Sequence, residues 1–141
     1  RKGRKIEQKH KIMSEQFTVE IISPNEQSLK TEAREVSLPA FEGEIGILKD
    51  HIPLITFLRP GLIKIFSETD QIYFVEDGTV EFANNNLLIL TSTAKLMSSI
   101  DKKSLEDLIN EAEEKINDSE ISDKERYLLS YKINTLKNIN L

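Results

Sequence analysis

The stretch that decides the fold is Phe41–Thr56, FEGEIGILKDHIPLIT. Gly43 and Gly46 stand three apart, with acids at Glu42 and Glu44 and an apolar run from Ile45 to Leu48. His51, Pro53 and a second apolar run through Leu54, Ile55 and Phe57 follow. Glycines at such spacing mark places where the backbone takes positive φ or where another group comes close to it. A plain strand needs no such concentration of glycine, proline and histidine. The stretch therefore reads as a shaped loop and as the best candidate contact site in the chain.

On either side of it lie short strands separated by turns. Phe17–Ser23 alternates Phe17, Val19 and Ile21 on one face, the period of a half-buried strand. Leu29–Ala33 and Glu35–Leu38 are strands, the second ending at Pro39. Arg59-Pro60-Gly61 reads as a type II turn, with proline fixing one φ and glycine taking a positive one. Leu62–Ser67, Gln71–Glu76, Thr79–Ala83 and Leu87–Ser92 are further strands, with Asp77-Gly78 as a hairpin signal and Asn84-Asn85-Asn86 as a turn. The pairs Ile63/Ile65, Ile72/Phe74, Val80/Phe82 and Leu88/Leu90 all need cover. An antiparallel sandwich or barrel supplies it, at about 1.5–3 kcal/mol for each large aliphatic buried.

The pattern turns helical near Met97, after which proline and glycine vanish. Asp101 is placed to cap a helix whose apolar positions are Leu105, Leu108, Ile109, Ala112 and Ile116, at helical spacing. Asn117-Asp118-Ser119 breaks it. Ser122-Asp123-Lys124-Glu125 is a capping box, and Leu129, Ile133 and Leu136 form the stripe of a second helix. Two narrow stripes pair most simply as an antiparallel hairpin, with little apolar surface left to dock it on the sandwich. Glu111, Glu113 and Glu114 read as solvated surface, with Glu111 paired to Lys115. Tyr127 and Tyr131, four apart, read as hairpin packing. The organisation expected is a basic extension (1–13), a β-sandwich (14–99) and a helical hairpin (100–141).

Composition narrows the function classes. The chain has 141 residues, 38% hydrophobic and 30% charged, which suits one domain with a modest core plus a small appendage. It has no cysteine, hence no disulfide framework and no thiolate site, and no apolar run near the ~20 residues that span a bilayer. The net charge of −5 divides into +5 over the first twelve residues and −10 over the remainder. The basic arm begins at Arg1 and precedes Met13, so it reads as an upstream extension or cloning remnant outside the fold. The acidic body argues against nucleic acid as a partner. There is no phosphate-binding loop, dinucleotide fingerprint or HExxH motif. His10 and His51 are the only histidines, and His10 sits in the arm, so no two-histidine metal site is expected and no cofactor is assigned. Glu42 and Glu44 read as a partner contact sooner than as catalytic carboxylates, and His51 as a hydrogen-bonded structural residue. The reading from residues alone is a non-enzymatic β module with a helical appendage.

These residues also resemble a known family, the epsilon subunits of the F-type ATP synthase. The likeness lies in Glu42-Gly43-Glu44-Ile45-Gly46-Ile47, then His51-x-Pro53-Leu54 and Thr56. It continues through Arg59-Pro60-Gly61-Leu62-Ile63-Lys64-Ile65 and the strand pair Phe74–Phe82 with Gly78 and Val80-Glu81, and covers the chain from Phe17 onward. The resemblance implies a ten-stranded sandwich followed by two helices. It implies a rotor subunit bound to the gamma subunit and the ring of c subunits, coupling proton flow to ATP synthesis. By position, the loop with Glu42 and Glu44 would face the c-ring and His51 would lie near gamma, with Gly43, Gly46 and Pro53 in the same partner-binding set for the c-ring and gamma. The hairpin would be regulatory, able to extend toward the alpha/beta catalytic head and oppose hydrolysis. Some members bind ATP through Ile/Leu-Asp-x-x-Arg-Ala. Here Ile100 and Asp101 match, but Ser104 and Leu105 replace the Arg-Ala, so tight ATP binding is not expected. The implied location is peripheral, at the cytoplasmic face of a bacterial inner membrane or its organellar equivalent. Two other readings compete: a free-standing sandwich that binds a small ligand, which needs a polar interior pocket, and a hydrolase using Glu42, Glu44 and His51, which needs them convergent.

Overall fold

A computed structural model describes residues 15–24 and 28–139; the basic extension 1–13 lies outside the described residues. Ten strands come first: β1 (Phe17–Ile22), β2 (Leu29–Ala33), β3 (Glu35–Ala40), β4 (Gly43–Leu48), β5 (Leu54–Leu58), β6 (Gly61–Phe66), β7 (Gln71–Val75), β8 (Gly78–Ala83), β9 (Asn86–Leu90) and β10 (Lys95–Leu96). A short 3-10 turn at Met97–Ser99 leads to helices α1 (Lys102–Ile116) and α2 (Asp123–Lys137). The strands run in the order β10-β7-β6-β3-β5-β8-β9-β1-β2, with β4 pairing β3. Every pairing is antiparallel except β1 with β9, where Val19 stands beside Leu87 in a parallel register. The sandwich is thus not purely antiparallel, because β1 inserts between β9 and β2 rather than beside its sequence neighbour alone.

The two halves of the sandwich meet at β3, where Ala40 opposite Leu58 is the one residue pair between β3 and β5. Inward side chains from both halves form one apolar core of Phe17, Val19, Ile21, Val36, Leu38, Ile47, Leu58, Ile63, Ile65, Val80, Phe82, Leu87 and Ile89. Phe17 meets Phe82 edge-on at 5.7 Å. The interior of the described residues is therefore filled by hydrocarbon, without the polar pocket that a small-ligand sandwich would need.

Several expectations shift. Gly43–Leu48 is not a loop but a strand, paired residue for residue with β3, and only Phe41 and Glu42 turn between them. Strand β3 continues through Pro39 to Ala40, and the Pro39 carbonyl accepts from the Arg59 N–H at 2.9 Å. Gly61 is not a positive-φ turn residue. It opens β6, and a Cβ there would stand 2.5 Å from the Pro39 Cβ, so glycine is needed for close approach. Asp77-Gly78 does not close a hairpin, since β7 pairs β6 and β10 whereas β8 pairs β5 and β9. It is a corner between the two halves. The Asp77 carbonyl accepts from Thr91 Oγ1 at 2.6 Å, and a Cβ on Gly78 (φ +157) would lie 2.8 Å from the Leu90 carbonyl oxygen.

Registers differ too. The inward residues of β7 are Tyr73 and Val75, and those of β9 are Leu87 and Ile89, one place off the pairs Ile72/Phe74 and Leu88/Leu90. Phe74 points out of the sandwich yet is 1% exposed, because the helices cover it. It packs with Leu105 and Leu136, and around them lie Leu62, Met97, Ile100, Leu108, Ile109 and Ile139. The hairpin therefore has an apolar seat on β6 and β7, more than its two stripes promise. Polar ties add to it: Lys132 Nζ meets Glu76 Oε1 at 2.5 Å, and the Arg59 guanidinium lies 4.1 Å from the Tyr131 ring centroid. The hydrocarbon dominates, since truncating a buried Phe costs roughly 3–5 kcal/mol. A partly exposed ion pair adds at most about 1 kcal/mol and a cation–π contact about 0.5–1.

Both expected caps form: Asp101 accepts from the Ser104 N–H at 2.7 Å, and Ser122 Oγ from the Glu125 N–H at 3.1 Å. Arg126 donates back to the Ile116 and Asp118 carbonyls and closes the link between the helices. Glu113, rather than Glu111, holds an ion pair, with Lys137 of the facing helix at 2.8 Å. Tyr131 stacks edge-on with Tyr127 at 4.9 Å but belongs to the contact with the sandwich through Arg59.

The two glycines at issue predict different outcomes. Gly61→Ala lowers stability by about 1–3 kcal/mol through overpacking on Pro39. In Gly46→Ala the new methyl meets nothing nearer than Glu35 Oε2 at 3.7 Å, and the change stays within about 0.5 kcal/mol. Urea unfolding of both variants checks this; equal losses would contradict the close-approach account.

Candidate partner-binding site

The candidate residues fall on two neighbouring features, the β3–β4 hairpin and the segment that enters β5. At the hairpin tip Gly43 has φ +130, a conformation that side chains avoid, so it is the glycine that shapes the turn. Gly46 has no such φ and sits in mid-strand opposite Ser37. Of the two glycines, therefore, only Gly43 is required by backbone geometry.

The two acids are held apart by separate partners. Glu42 accepts from Thr56 Oγ1 of β5, at 3.0 Å to each carboxylate oxygen. Glu44 Oε1 accepts from Ser37 Oγ of β3 at 2.5 Å. Each carboxylate is thus fixed by a hydroxyl on an adjacent strand while its residue remains exposed. Two carboxylates with separate hydroxyl partners form a charged rim, not a dyad sharing a proton. Glu44 also lines a groove of about 290 Å³ with Pro39, Arg59, Lys64 and, from α2, Tyr131 and Asn134. The acidic hairpin therefore borders the seat of the second helix.

His51 has a structural setting. Its ring meets Phe82 edge-on at 5.9 Å and 89°, and its backbone N–H donates to the Leu48 carbonyl at 3.1 Å. Nδ1 lies 2.7 Å from the Ile52 carbonyl oxygen, which can only accept, so Nδ1 carries the proton. Among the described residues no hydrogen bond joins His51 to Glu42 or Glu44, and no cluster of three metal-binding side chains is found. The convergence that a hydrolase needs does not form. Pro53, exposed, sits just ahead of β5, where its missing N–H costs no ladder bond.

Sequence reasoning passed over Ile55 and Phe57, counting them within an apolar run. In β5, Thr56 and Leu58 point inward, so Ile55 and Phe57 must point out. They are 75% and 58% exposed, and Ile52 is 73% exposed. Leu48 and Phe41 add further exposed apolar surface from β4 and the hairpin turn. Exposed apolar side chains such as these, beside charged residues, have the character of a contact surface. The alternation that reveals it was visible in LITFL once Leu58 is assigned to the core.

Ile100 and Asp101, the nucleotide candidates, are otherwise engaged. Ile100 packs into the docking cluster, and the Asp101 carboxylate caps α1. The hydrogen bonds from Ser104 hold the Asp101 carboxyl below its ordinary 3.8.

Residues 16–97 match the family described as ATP synthase, Delta/Epsilon chain, beta-sandwich domain. A protein of Pelagibacter ubique named ATP synthase epsilon chain is 51% identical over 130 residues, 91% of this chain and 100% of its own length. One of Gloeothece citriformis with the same name is 34% identical, over 73% of this chain and 75% of its own. The chain belongs to the ATP synthase epsilon-chain family. Among solved structures of the family's assemblies, the Euglena gracilis mitochondrial ATP synthase (OSCP/F1/c-ring) holds a chain that is 19% identical. Its TM-score is 0.68, covering 86% of this chain and 78% of that one. The Tetrahymena thermophila central stalk/c-ring structure gives 0.54 at 14% identity, covering 85% and 92%. At these identities the likeness is one of fold, and it extends over both the epsilon-type sandwich and much of the helical region.

The Asp101 cap has a pH signature. A carboxyl lowered in the folded state adds stability that is complete above its unfolded value of 3.8 and is lost as pH falls through the lower folded one. Asp101→Asn keeps the cap without the charge, so its stability should lack this acid-side decline, which far-ultraviolet melting between neutral and strongly acidic pH would reveal. An unchanged acid-side slope in Asp101→Asn would contradict the assignment.

Proposed function

We propose that this chain is a rotor subunit of the F-type proton-translocating ATP synthase. In this reading the sandwich binds the gamma subunit and the c-ring at the foot of the central stalk, and links proton-driven ring rotation to ATP synthesis in the head. The observation that carries the reading is the outward face of β5. Ile55 and Phe57 stand 75% and 58% exposed, in a protein whose own core is already complete. Such a face suits a permanent apolar partner, and gamma is the occupant we assign, with His51 and Pro53 shaping its border. The acidic rim of Glu42 and Glu44, around Gly43 and Gly46, is assigned to the polar loops of the c-ring. Charges at a rim set association rate and register more than affinity.

The subunit does no chemistry of its own in this reading. Its contribution is a rigid double-sheet body that passes torque between ring and stalk. No described helix is long and apolar enough to cross a membrane, and the assigned position is peripheral, at the cytoplasmic face of a bacterial inner membrane. The hairpin is assigned a regulatory role. It rests on β6 and β7 through Phe74, and when extended it reaches the alpha/beta head and opposes hydrolysis. Asp101 serves as a cap, the Arg-Ala of the family's nucleotide motif is replaced by Ser104 and Leu105, and no tight ATP site is proposed.

Two paired substitutions test the assigned faces. Ile55→Ser with Phe57→Ser should weaken gamma binding at least about tenfold with the melting temperature retained, since exposed residues contribute little to the fold. Glu42→Lys with Glu44→Lys should lower association with the c-ring and leave gamma binding intact. Native-gel and interferometry titrations measure both; the reverse pattern would exchange the two assignments, and no effect of either would remove them. Deleting residues 100–141 should raise ATP hydrolysis by the reconstituted head, whereas unchanged hydrolysis would remove the inhibitory role.

A further inference from the structure

Two non-glycine residues in the left-handed region meet on neighbouring turns: Asp50 at φ 67 and Asn85 at φ 60. The Asp50 N–H donates to Asn85 Oδ1 at 2.7 Å, and Asn85 Nδ2 donates back to Asp50 Oδ1 at 3.0 Å. The strand register brings them together. Leu54 opposite Phe82 begins the β5–β8 ladder, and Ala83 opposite Asn86 closes the β8–β9 hairpin. The Asn84-Asn85 turn is therefore adjacent to the segment that enters β5. Asn84 has φ 52, so both central residues take positive φ, as a type I′ turn requires. Glycine or aspartate at position 85 would satisfy the turn equally well. Neither of those would form the clasp, whereas the Asn85 amide supplies both the acceptor for the Asp50 N–H and a donor for its carboxylate.

We propose that Asn85 is a positioning residue for the partner-binding surface: it clasps Asp50 and holds the 49–53 segment, with Ile52, in the shape that the partner meets. This rests on the reading that the β5 face binds gamma. The segment is tied at three points, by Asn85, by the Leu48 carbonyl and by the His51 ring on Phe82. Ile52 within it remains 73% exposed, so the ties do not bury it. Of the three, only the His51 ring touches the core; the two hydrogen bonds order backbone at the surface. Ordering a loop before association removes a cost that binding would otherwise bear. The positive φ of Asp50 is maintained by the same clasp, since a carboxylate residue in that region gains from a local hydrogen-bond partner.

The clasp has a signature that a turn residue alone would lack. Asn85→Asp keeps the turn but sets two carboxylates face to face. Asp50→Asn keeps the clasp, because the Asn85 amide still donates to a side-chain oxygen at position 50. The double change restores it with reversed polarity, the new amide at position 50 donating to the new carboxylate at position 85. With the full-length chain and purified gamma subunit, Asn85→Asp should weaken binding about tenfold, mainly in dissociation rate. Asp50→Asn and the double variant should bind within about twofold of the parent, as expected when two groups act as one unit. Melting temperatures should agree across the set. Parental binding by Asn85→Asp overturns the proposal, and so does a double variant as weak as Asn85→Asp. If Asn85→Asp folds poorly, Asn85→Gly keeps the turn and removes the clasp; parental binding by that variant overturns the proposal as well. Failure of the unsubstituted chain to bind gamma would instead overturn the partner reading, and this proposal with it.

Discussion

The contact between Gly61 and Pro39 is the constraint on which the other features depend. Strand β3 belongs to both halves of the sandwich, pairing β4 along its length and β6 over Glu35, Val36 and Ser37, and touching β5 at Ala40. Its last residues, Pro39 and Ala40, are buried where the halves converge, and the chain leaving β5 must turn over them to begin β6. It can do so only because Gly61 has no Cβ. The backbone there is fixed further by the Arg59 N–H on the Pro39 carbonyl and the Phe41 N–H on the Phe57 carbonyl.

From this corner three surfaces are set in relation to one another. The β3–β4 hairpin leaves it carrying Glu42 and Glu44. Strand β5 arrives at it with Ile55 and Phe57 outward. Arg59, between β5 and β6, reaches over Tyr131 of α2. The groove that Pro39, Glu44, Arg59 and Tyr131 line together places the acidic rim, the β5 strand and the helical seat within a few residues of each other. In the proposed rotor role, a subunit that meets two partners and carries a hairpin would gain from such a hub, because movement of one surface relative to another would strain a close-packed contact.

Much of this was legible in the sequence, for identifiable reasons. Strand β1 is plain in FTVEII because its polar face is wet and its apolar face is not. Both helix starts were readable because Asp101 and Ser122 cap by local hydrogen bonds. The registers of β7 and β9 were not, since QIYFV and NLLIL are apolar on both faces and period alone cannot choose between them. Phe74 shows why: its outward face is buried by a helix far along the chain. Asp77-Gly78 carries a hairpin signature, but the signature reports only the local bend, and the partner that matters is Leu90. At the candidate site the residue types were visible and their roles partly so. His51 was read as a hydrogen-bonded residue, and its ring lies against Phe82 with Nδ1 on the Ile52 carbonyl, while the exposed pair Ile55 and Phe57 was passed over because an apolar run does not say which side faces the core.

The account stands on the β5 face being covered in the assembled complex. Because the chain holds no cysteine, Ile55→Cys introduces a single thiol whose reaction rate with a maleimide reads its exposure directly. The account predicts fast labelling of the free subunit and strong protection once gamma is bound, while a thiol placed instead by Glu68→Cys, in the exposed β6–β7 turn, labels equally in both. Equal labelling of Ile55→Cys in the free and bound states would contradict it.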